Sequence, residues 1–356
     1  MKRDWKKTLL FTLITLVILM IPIILLAEWG ARIRYRMNLY QETEEAKFVS
    51  IYRKSDDPVL VYEMKPGSEE PGKEPGVMTR INEEGFRDDP FDLDEDRDSF
   101  RIVALGDSVA WGFGVDTQDA FLQLLEGRLN EGIPDASPPI EIFNLEVMGY
   151  STGQEVRLLE TRGLDYKPDL VMVIYVLNDP DEVDGGLARY FDPPKIYLWD
   201  AFQRFRRWWA ADRMGRSGAG GYPEVVHRLY WEEVMANLDR LQKVSQEAGV
   251  PVLMVQMPAF RWEGEDYPDE NLEKQLAAEF KKRGFYVHAL WPVFRGTDAE
   301  ALSFDPWHPT EEGHRMIAED LQKYLRGTGL APSPPNVETP DSSETSLNGT
   351  PPQTGP

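Results

Sequence analysis

"DLVMVIYVL", residues 169–177, is the stretch that decides the fold. From Leu170 to Leu177 no position is polar in any pronounced way. A strand with one wet face alternates, whereas a strand covered on both faces reads as a continuous apolar run. The segment therefore predicts the centre of a parallel sheet. Working outward, shorter apolar runs recur at "FRIVAL" (100–105), "IEIFNL" (140–145), "VPVLMVQM" (250–257) and "GFYVHAL" (284–290). Helical spacing fills the gaps at about 118–131, 152–163, 224–247 and 269–283, with a last helix at about 310–326. Strands alternating with helices mean βαβ units, an α/β domain and a parallel sheet. No internal repeat is visible.

Ligands of such sheets bind beyond the carboxyl ends of the strands. Gly106-Asp107-Ser108 follows the first strand, Gly149 the second and Asn178-Asp179 the third; "DPWH", Asp305 to His308, precedes the last helix. A serine hydroxyl is a weak nucleophile until a base takes its proton and a third group orients that base. His308 supplies such a base, and Asp305, three residues earlier, supplies the orienting carboxylate. A developing oxyanion needs preorganised donors. The backbone N–H groups of Ser108 and Gly149 and the side-chain amide of Asn178 form the available set.

These four blocks, a Ser, a Gly, an Asn and a His in that order at strand ends, resemble the SGNH, or GDSL, hydrolase family over roughly residues 80–326. "INEEGFRDD" upstream and "HPTEEGHRMIA" downstream resemble segments of its membrane-anchored members. The resemblance implies a three-layer α/β/α, flavodoxin-like domain and a serine esterase with no cofactor and no metal. It also implies a carboxylic ester substrate, such as an O-acetyl group on a cell-envelope glycan or a lipid ester. O-acyl transfer by the same triad is an alternative activity, and a catalytically silent envelope scaffold is an alternative of another class. One block departs from the pattern: the usual Gly-x-Asn-Asp reads Val176-Leu177-Asn178-Asp179. The missing glycine implies a changed pocket floor, while the asparagine amide is kept.

A rival nucleophile stands at "GYSTG" (149–153), a literal G-x-S-x-G. In an α/β-hydrolase the strand runs straight into that turn. Here "EVM" intervenes after "IEIFNL". The stretch is better read as the turn of the oxyanion glycine, with Ser151 or Thr152 capping the following helix, and Ser108 as the nucleophile. His314 lies inside the last helix, and His227 and His288 have no motif around them.

Composition bounds the remaining classes. With a net charge of -22, the chain lacks the basic surface that displaces nucleic-acid counterions. It has no cysteine, so disulfides, thiolate catalysis and Cys-ligated zinc are excluded. Nothing points to an obligate protein partner. The N-terminus is basic over residues 1–7, and "TLLFTLITLVILMIPIILLA" (8–27) follows without a charge. Twenty helical residues span about 30 Å, the hydrocarbon thickness of a bilayer. A cleaved signal peptide is the rival reading, but its apolar core runs to roughly 7–15 residues. Lys2, Arg3, Lys6 and Lys7 precede the span and Arg32, Arg34 and Arg36 follow it, so positive-inside leans narrowly to a cytoplasmic N-terminus. The expectation is a single-pass cell-membrane protein with its catalytic domain outside the cytoplasm.

Residues 28–99 read as a polar extension with short strands in "DDPVLVYEMKPG" and "GVMTRINEEGFRDD" and a linker at "FDLDEDRDS". The hydrolase domain spans 100–328, and a Pro/Ser/Thr-rich tail, 329–356, is expected to be disordered. An insertion at about 181–223 carries Leu198, Phe202, Phe205 and Trp209 at i, i+4, i+7 and i+11, beside Arg204, Arg206 and Arg207. Its plain reading is a helix packed on the core or on the N-terminal extension. Its sharper readings are a lid over the site or an interfacial helix on the membrane.

Overall fold

The computed structural model describes residues 5–45, 50–71, 78–91, 99–134, 137–180, 187–213, 222–262 and 264–333. Most of the "FDLDEDRDS" linker, the start of the 181–223 insertion, the stretch ahead of residue 222 and the tail from 334 lie outside the described residues. So does Asn348-Gly-Thr350, which matches a glycosylation sequon in the sequence.

Five strands form the central sheet: β5 (Phe100–Leu105), β6 (Ile140–Asn144), β7 (Leu170–Val176), β8 (Val252–Met257) and β9 (Tyr286–Ala289). All are parallel, in the order β6-β5-β7-β8-β9. Counted within the domain this is 2-1-3-4-5, the flavodoxin-like order, whose chain reversal beside the first strand opens a crevice at the carboxyl rim. The run at 170–176 is the central strand and is buried at every position.

Strand pleating divides that run between two apolar layers. Val171, Val173 and Tyr175 point into one layer, and Leu170, Met172, Ile174 and Val176 into the other. The first layer is closed by α3 (Thr152–Thr161), α6 (Tyr222–Ala248) and α7 (Glu270–Lys282). The second is closed by α2 (Phe121–Asn130) and α8 (Glu311–Thr328). Each helix buries one stripe, such as Ile317, Ala318, Leu321 and Leu325 of α8. The Gly329 C-cap turns the chain back at φ 72°, and Ala331 is buried beyond it, so packing continues a few residues into the expected tail.

The N-terminal extension belongs to the first layer. Its two hairpins pair β1 (Tyr52–Lys54) with β2 (Tyr62–Met64), and β3 (Glu69–Pro71) with β4 (Met78–Arg80). Ile51, Tyr52, Leu60, Tyr62, Met64 and Phe86 are buried among the residues of the sheet face. Helix α1 (Trp5–Glu45) is long and apolar enough to cross a membrane; its most apolar window has a mean hydropathy of 3.1 and is not buried against the rest of the chain. It continues well past residue 27, because "EWGARIRYRMNLYQETEE" is rich in helix formers and lacks proline.

The insertion holds α4 (Ala188–Phe191) and α5 (Tyr197–Arg213). α5 packs on α1, as the plain reading expects, but most of its aromatic stripe stays open: Phe205 borders the cleft between the two helices, yet Phe202 and Phe205 remain 50% and 56% exposed.

Candidate active site

The chain leaves β5 through Gly106, where an added Cβ would lie 3.1 Å from both Glu146 and Ile174. That close approach lets the next residues turn tightly over the sheet edge. Asp107 is buried, and its Oδ1 accepts the N–H of Val109 at 3.0 Å. Ser108 then opens a run of turns closed by Trp111 N–H to Asp107 O at 3.0 Å and Phe113 N–H to Ser108 O at 3.1 Å.

Arg87, from the "INEEGFRDD" segment, braces those turns. It is 1% exposed and donates through Nη1 to the carbonyls of Trp111 and Gly112 at 2.6 and 2.7 Å, and through Nη2 to that of Val115. Burial pulls its pKa down to about 10. An arginine stays charged there, and three carbonyl dipoles compensate it.

Ser108 Oγ lies 2.7 Å from His308 Nε2, across 200 residues of sequence. The other imidazole nitrogen, Nδ1, lies 2.7 and 2.9 Å from the two carboxylate oxygens of Asp305. The short spacing does local work as well. Asp305 Oδ1 also accepts the backbone N–H groups of Trp307 and His308 at 2.9 and 3.0 Å, which folds "DPWH" into a turn presenting the ring. Burial pulls the Asp305 carboxyl upward. The His308 hydrogen bond and charge, with those two N–H donors, outweigh it and hold the pKa at about 2. Asp305 is thus an anion throughout the range in which an imidazole titrates. Phe113 covers His308, ring centroids 4.5 Å apart.

Gly149 stands exposed at φ 76°, a left-handed conformation that favours glycine. Its turn is clamped by a residue for which sequence reasoning assigned no role. Tyr62 Oη donates to the carbonyl of Met148 at 2.7 Å, and Tyr150 Oη donates back to the carbonyl of Tyr62 at 2.5 Å. A Cβ at Gly149 would sit 3.1 Å from the Tyr62 hydroxyl. Ser151 is buried at the N-cap of α3, where its N–H donates to Gln154 Oε1 at 3.2 Å in a capping box.

Asn178 follows the end of β7. Asp179 shapes that end by accepting the Val176 N–H on Oδ2 at 3.1 Å and donating its own N–H to Val176 O at 3.0 Å. The Asn178 amide sends one N–H toward Asp107 Oδ2 at a long 3.4 Å, and an amide nitrogen carries two. Val176, where the family pattern has glycine, is buried in the second apolar layer. Beneath this rim lie further carboxyls, Glu146, Glu155 and Asp179, pushed well above the usual carboxylate range by burial first and then by neighbouring carboxylates, Asp107 for Glu146 and Glu155 and Glu155 for Asp179.

The other histidines have structural partners. His314 is fully buried, accepts the Phe121 N–H on Nδ1 at 3.2 Å, and is pulled down to about 3 by burial, with Arg87 and His308 adding to the shift. His227 lies between Tyr175 Oη and Pro223 O, and His288 pairs with Asp320. Two site-building residues were missed as such, Tyr62 and Arg87. The signal for Arg87 was a charged residue inside a recognisable segment. Tyr62 had none beyond a place in an expected strand.

A family model described as GDSL-like lipase/acylhydrolase matches residues 104–316, more than half of the chain. No curated protein matches the chain by sequence. Among solved structures, the chain is similar to LAE5, an alpha/beta hydrolase enzyme from the metagenome of Lake Arreo, at 17% identity and TM-score 0.42, covering 67% of this chain and 98% of that one. It is similar to the psychrotrophic esterase EstA from Pseudoalteromonas sp. at 16% identity and TM-score 0.39, covering 64% and 98%. It is also similar to the lipase/acylhydrolase from Enterococcus faecalis at 15% identity and TM-score 0.41, covering 64% and 96%. With a parallel sheet and a family match that begins in β5 and ends in α8, the chain belongs to the GDSL-like lipase/acylhydrolase family, the hydrolases of ester bonds.

Proposed function

We propose that the protein is a membrane-anchored serine esterase whose nucleophile is Ser108. The observation that carries this reading is the unbroken contact from Ser108 through His308 to Asp305. His308 Nε2 takes the hydroxyl proton as Ser108 Oγ attacks the ester carbonyl carbon. The carbonyl oxygen becomes an oxyanion, received by the N–H groups of Ser108 and Gly149 and by the Asn178 amide. The intermediate collapses as His308 returns the proton to the leaving alkoxide. Water, deprotonated by His308, then attacks the acyl-enzyme and releases the acid and free Ser108. Asp305 remains ionised and holds the imidazole in the required tautomer.

The apolar run 8–27 is the anchor in this reading, and its cation balance supports a catalytic domain outside the cytoplasm. The substrate there is a carboxylic ester carried by an envelope glycan or a lipid. The test is labelling of the full chain with a fluorophosphonate, followed by peptide mapping. Modification of Ser108, lost in Ser108→Ala, is expected. Modification at Ser151, or no modification of a folded chain, overturns the assignment.

A further inference from the structure

Helix α5 carries two differently oriented faces. Tyr197, Asp200, Ala201 and Arg204, at i, i+3, i+4 and i+7, line a cleft against Ala31, Arg34, Tyr35 and Asn38 of α1. The Tyr197 ring meets Tyr35 edge-on at 5.1 Å, and the Arg32 guanidinium stands 4.9 Å over it. The first two N–H groups of α5, of Tyr197 and Leu198, are donated to the Glu28 carboxylate at 2.9 and 2.7 Å. These are the donors a helix start leaves unpaired.

The second face is an exposed apolar stripe of Leu198, Trp199 and Phe202, none of which lines that cleft, with Trp199 58% exposed; Phe205 and Trp208 continue it along the cleft edge and are exposed as well. The packing that seats the helix therefore leaves its most apolar face open. Contiguous exposed apolar surface of this kind marks an interaction site.

We infer that this stripe docks on a lipid bilayer surface, so that α5 is an interfacial helix held at the membrane exit of α1. The inference rests on the anchoring of residues 8–27 proposed above. Glu28, which pins the start of α5, is the first charged residue after that apolar run, so the stripe begins where the hydrocarbon would end. The composition fits the headgroup zone, where tryptophan and other amphipathic rings concentrate. The charge fits as well. Arg32 stands over Tyr197, Arg34 and the Asp200-paired Arg204 line the cleft, and Arg36 and Arg206 follow on the same two helices, a local excess of cations in a chain of net charge -22 that suits anionic headgroups.

The docked helix also sits close to the chemistry. Tyr35 Oη of α1 donates to the carbonyl of Arg189 in α4 at 2.8 Å. Phe191 of α4 stacks on Tyr62 at 5.5 Å, and Tyr62 clamps the Gly149 turn. Contact with the bilayer thus holds the catalytic rim a short distance from the membrane surface.

The chain has no native cysteine, so single nitroxide labels report cleanly. Phe202→Cys, Phe205→Cys, Leu16→Cys and Lys243→Cys are made in the full chain and reconstituted in vesicles of phosphatidylcholine and phosphatidylglycerol. Collision with oxygen and with a water-soluble nickel chelate is measured for each. The labels at 202 and 205 are expected to favour oxygen over nickel, more shallowly than the label at 16, while the label at 243 favours nickel. If 202 and 205 behave like 243 while 16 stays in hydrocarbon, the inference fails and the anchor stands. If 16 itself is nickel-accessible, the anchor fails and takes the inference with it. Shielding of 202 and 205 from both reagents means that protein covers the stripe, which also overturns it. Quenching by brominated acyl chains gives a label-free check: Trp199→Phe is expected to lower the quenched fraction, and an unchanged fraction counts against the inference.

Discussion

Two turns at the carboxyl rim of the sheet each carry a serine, and they differ in what meets the hydroxyl. Ser108 Oγ faces His308 Nε2 at 2.7 Å in a turn braced by the buried Arg87. Ser151 sits in the better consensus, G-x-S-x-G, yet it is buried at the N-cap of α3 with Gln154 as its reciprocal partner. The glycine before it, Gly149, holds the left-handed turn instead. In the proposed reading reactivity follows the base within reach, and that base stands on the turn ahead of α8, which packs against α2, rather than in the local motif.

The comparison breaks most visibly at the serines themselves. Ser108→Ala is expected to lower ester hydrolysis on the order of 10⁶-fold, as removal of a triad nucleophile does. Ser151→Ala is expected to keep most activity and to lose about 1 kcal/mol of stability with its cap. Steady-state kinetics on a chromogenic ester and a thermal melt of both variants decide it. The reverse pattern would exchange the two roles.

Asn178→Ala sharpens the account of the third strand end. Turnover is expected to fall roughly 10²–10³-fold, the usual cost of one oxyanion donor. KM should change much less, because the contact strengthens mainly in the transition state. Unchanged kcat would reduce Asn178 to a strand terminator.

Tyr62→Phe addresses the clamp on the second turn. Losing one buried hydrogen bond costs about 1 kcal/mol, and the expected signature is a several-fold loss in kcat with KM nearly constant. A melt shift with intact kcat would mean that Tyr62 supports folding only.

The smallest expected effect is on pH dependence. Burial raises Asp88 to about 7, against the N–H of Asn144 and the amide of Gln123, and raises Glu273 to about 8. As pH rises from the ordinary carboxylate range, the unfolded chain ionises first while the folded chain keeps these protons. Stability contributed at low pH is therefore lost on the way to pH 7–8. The melting temperature is expected to be a few degrees higher near pH 5.5 than at pH 8, with the difference reduced in Asp88→Asn. A flat profile in the parent chain would contradict the assignment.

Much of the architecture was legible because burial leaves a periodic trace. The unbroken run at 170–176 is a strand covered on both faces, and the stripe of α8 repeats every three or four residues. Asp305 and His308 were legible as a pair because their contact is local, closed by a turn within four residues. The partners of the four short extension strands were less so, since three-residue ladders carry little pattern. The stripe of α5 was readable as a helical face, but its direction was not, because periodicity reports amphipathicity and not the partner.

The sequence by itself determined the α/β class, the strand and helix order, the apolar N-terminal helix and the residue types gathered at the strand ends. Each depends on short-range spacing that the chain displays directly. Tertiary structure alone decided which serine meets a base, that Tyr62 clamps the Gly149 turn through the Met148 carbonyl 86 residues away, and that α5 packs on α1 through Tyr197 and Ala201 while Trp199 and Phe202 stay open. Those outcomes depend on which surfaces come together when distant segments pack, and a contact between residues 100 or 200 apart leaves no period in the sequence to read.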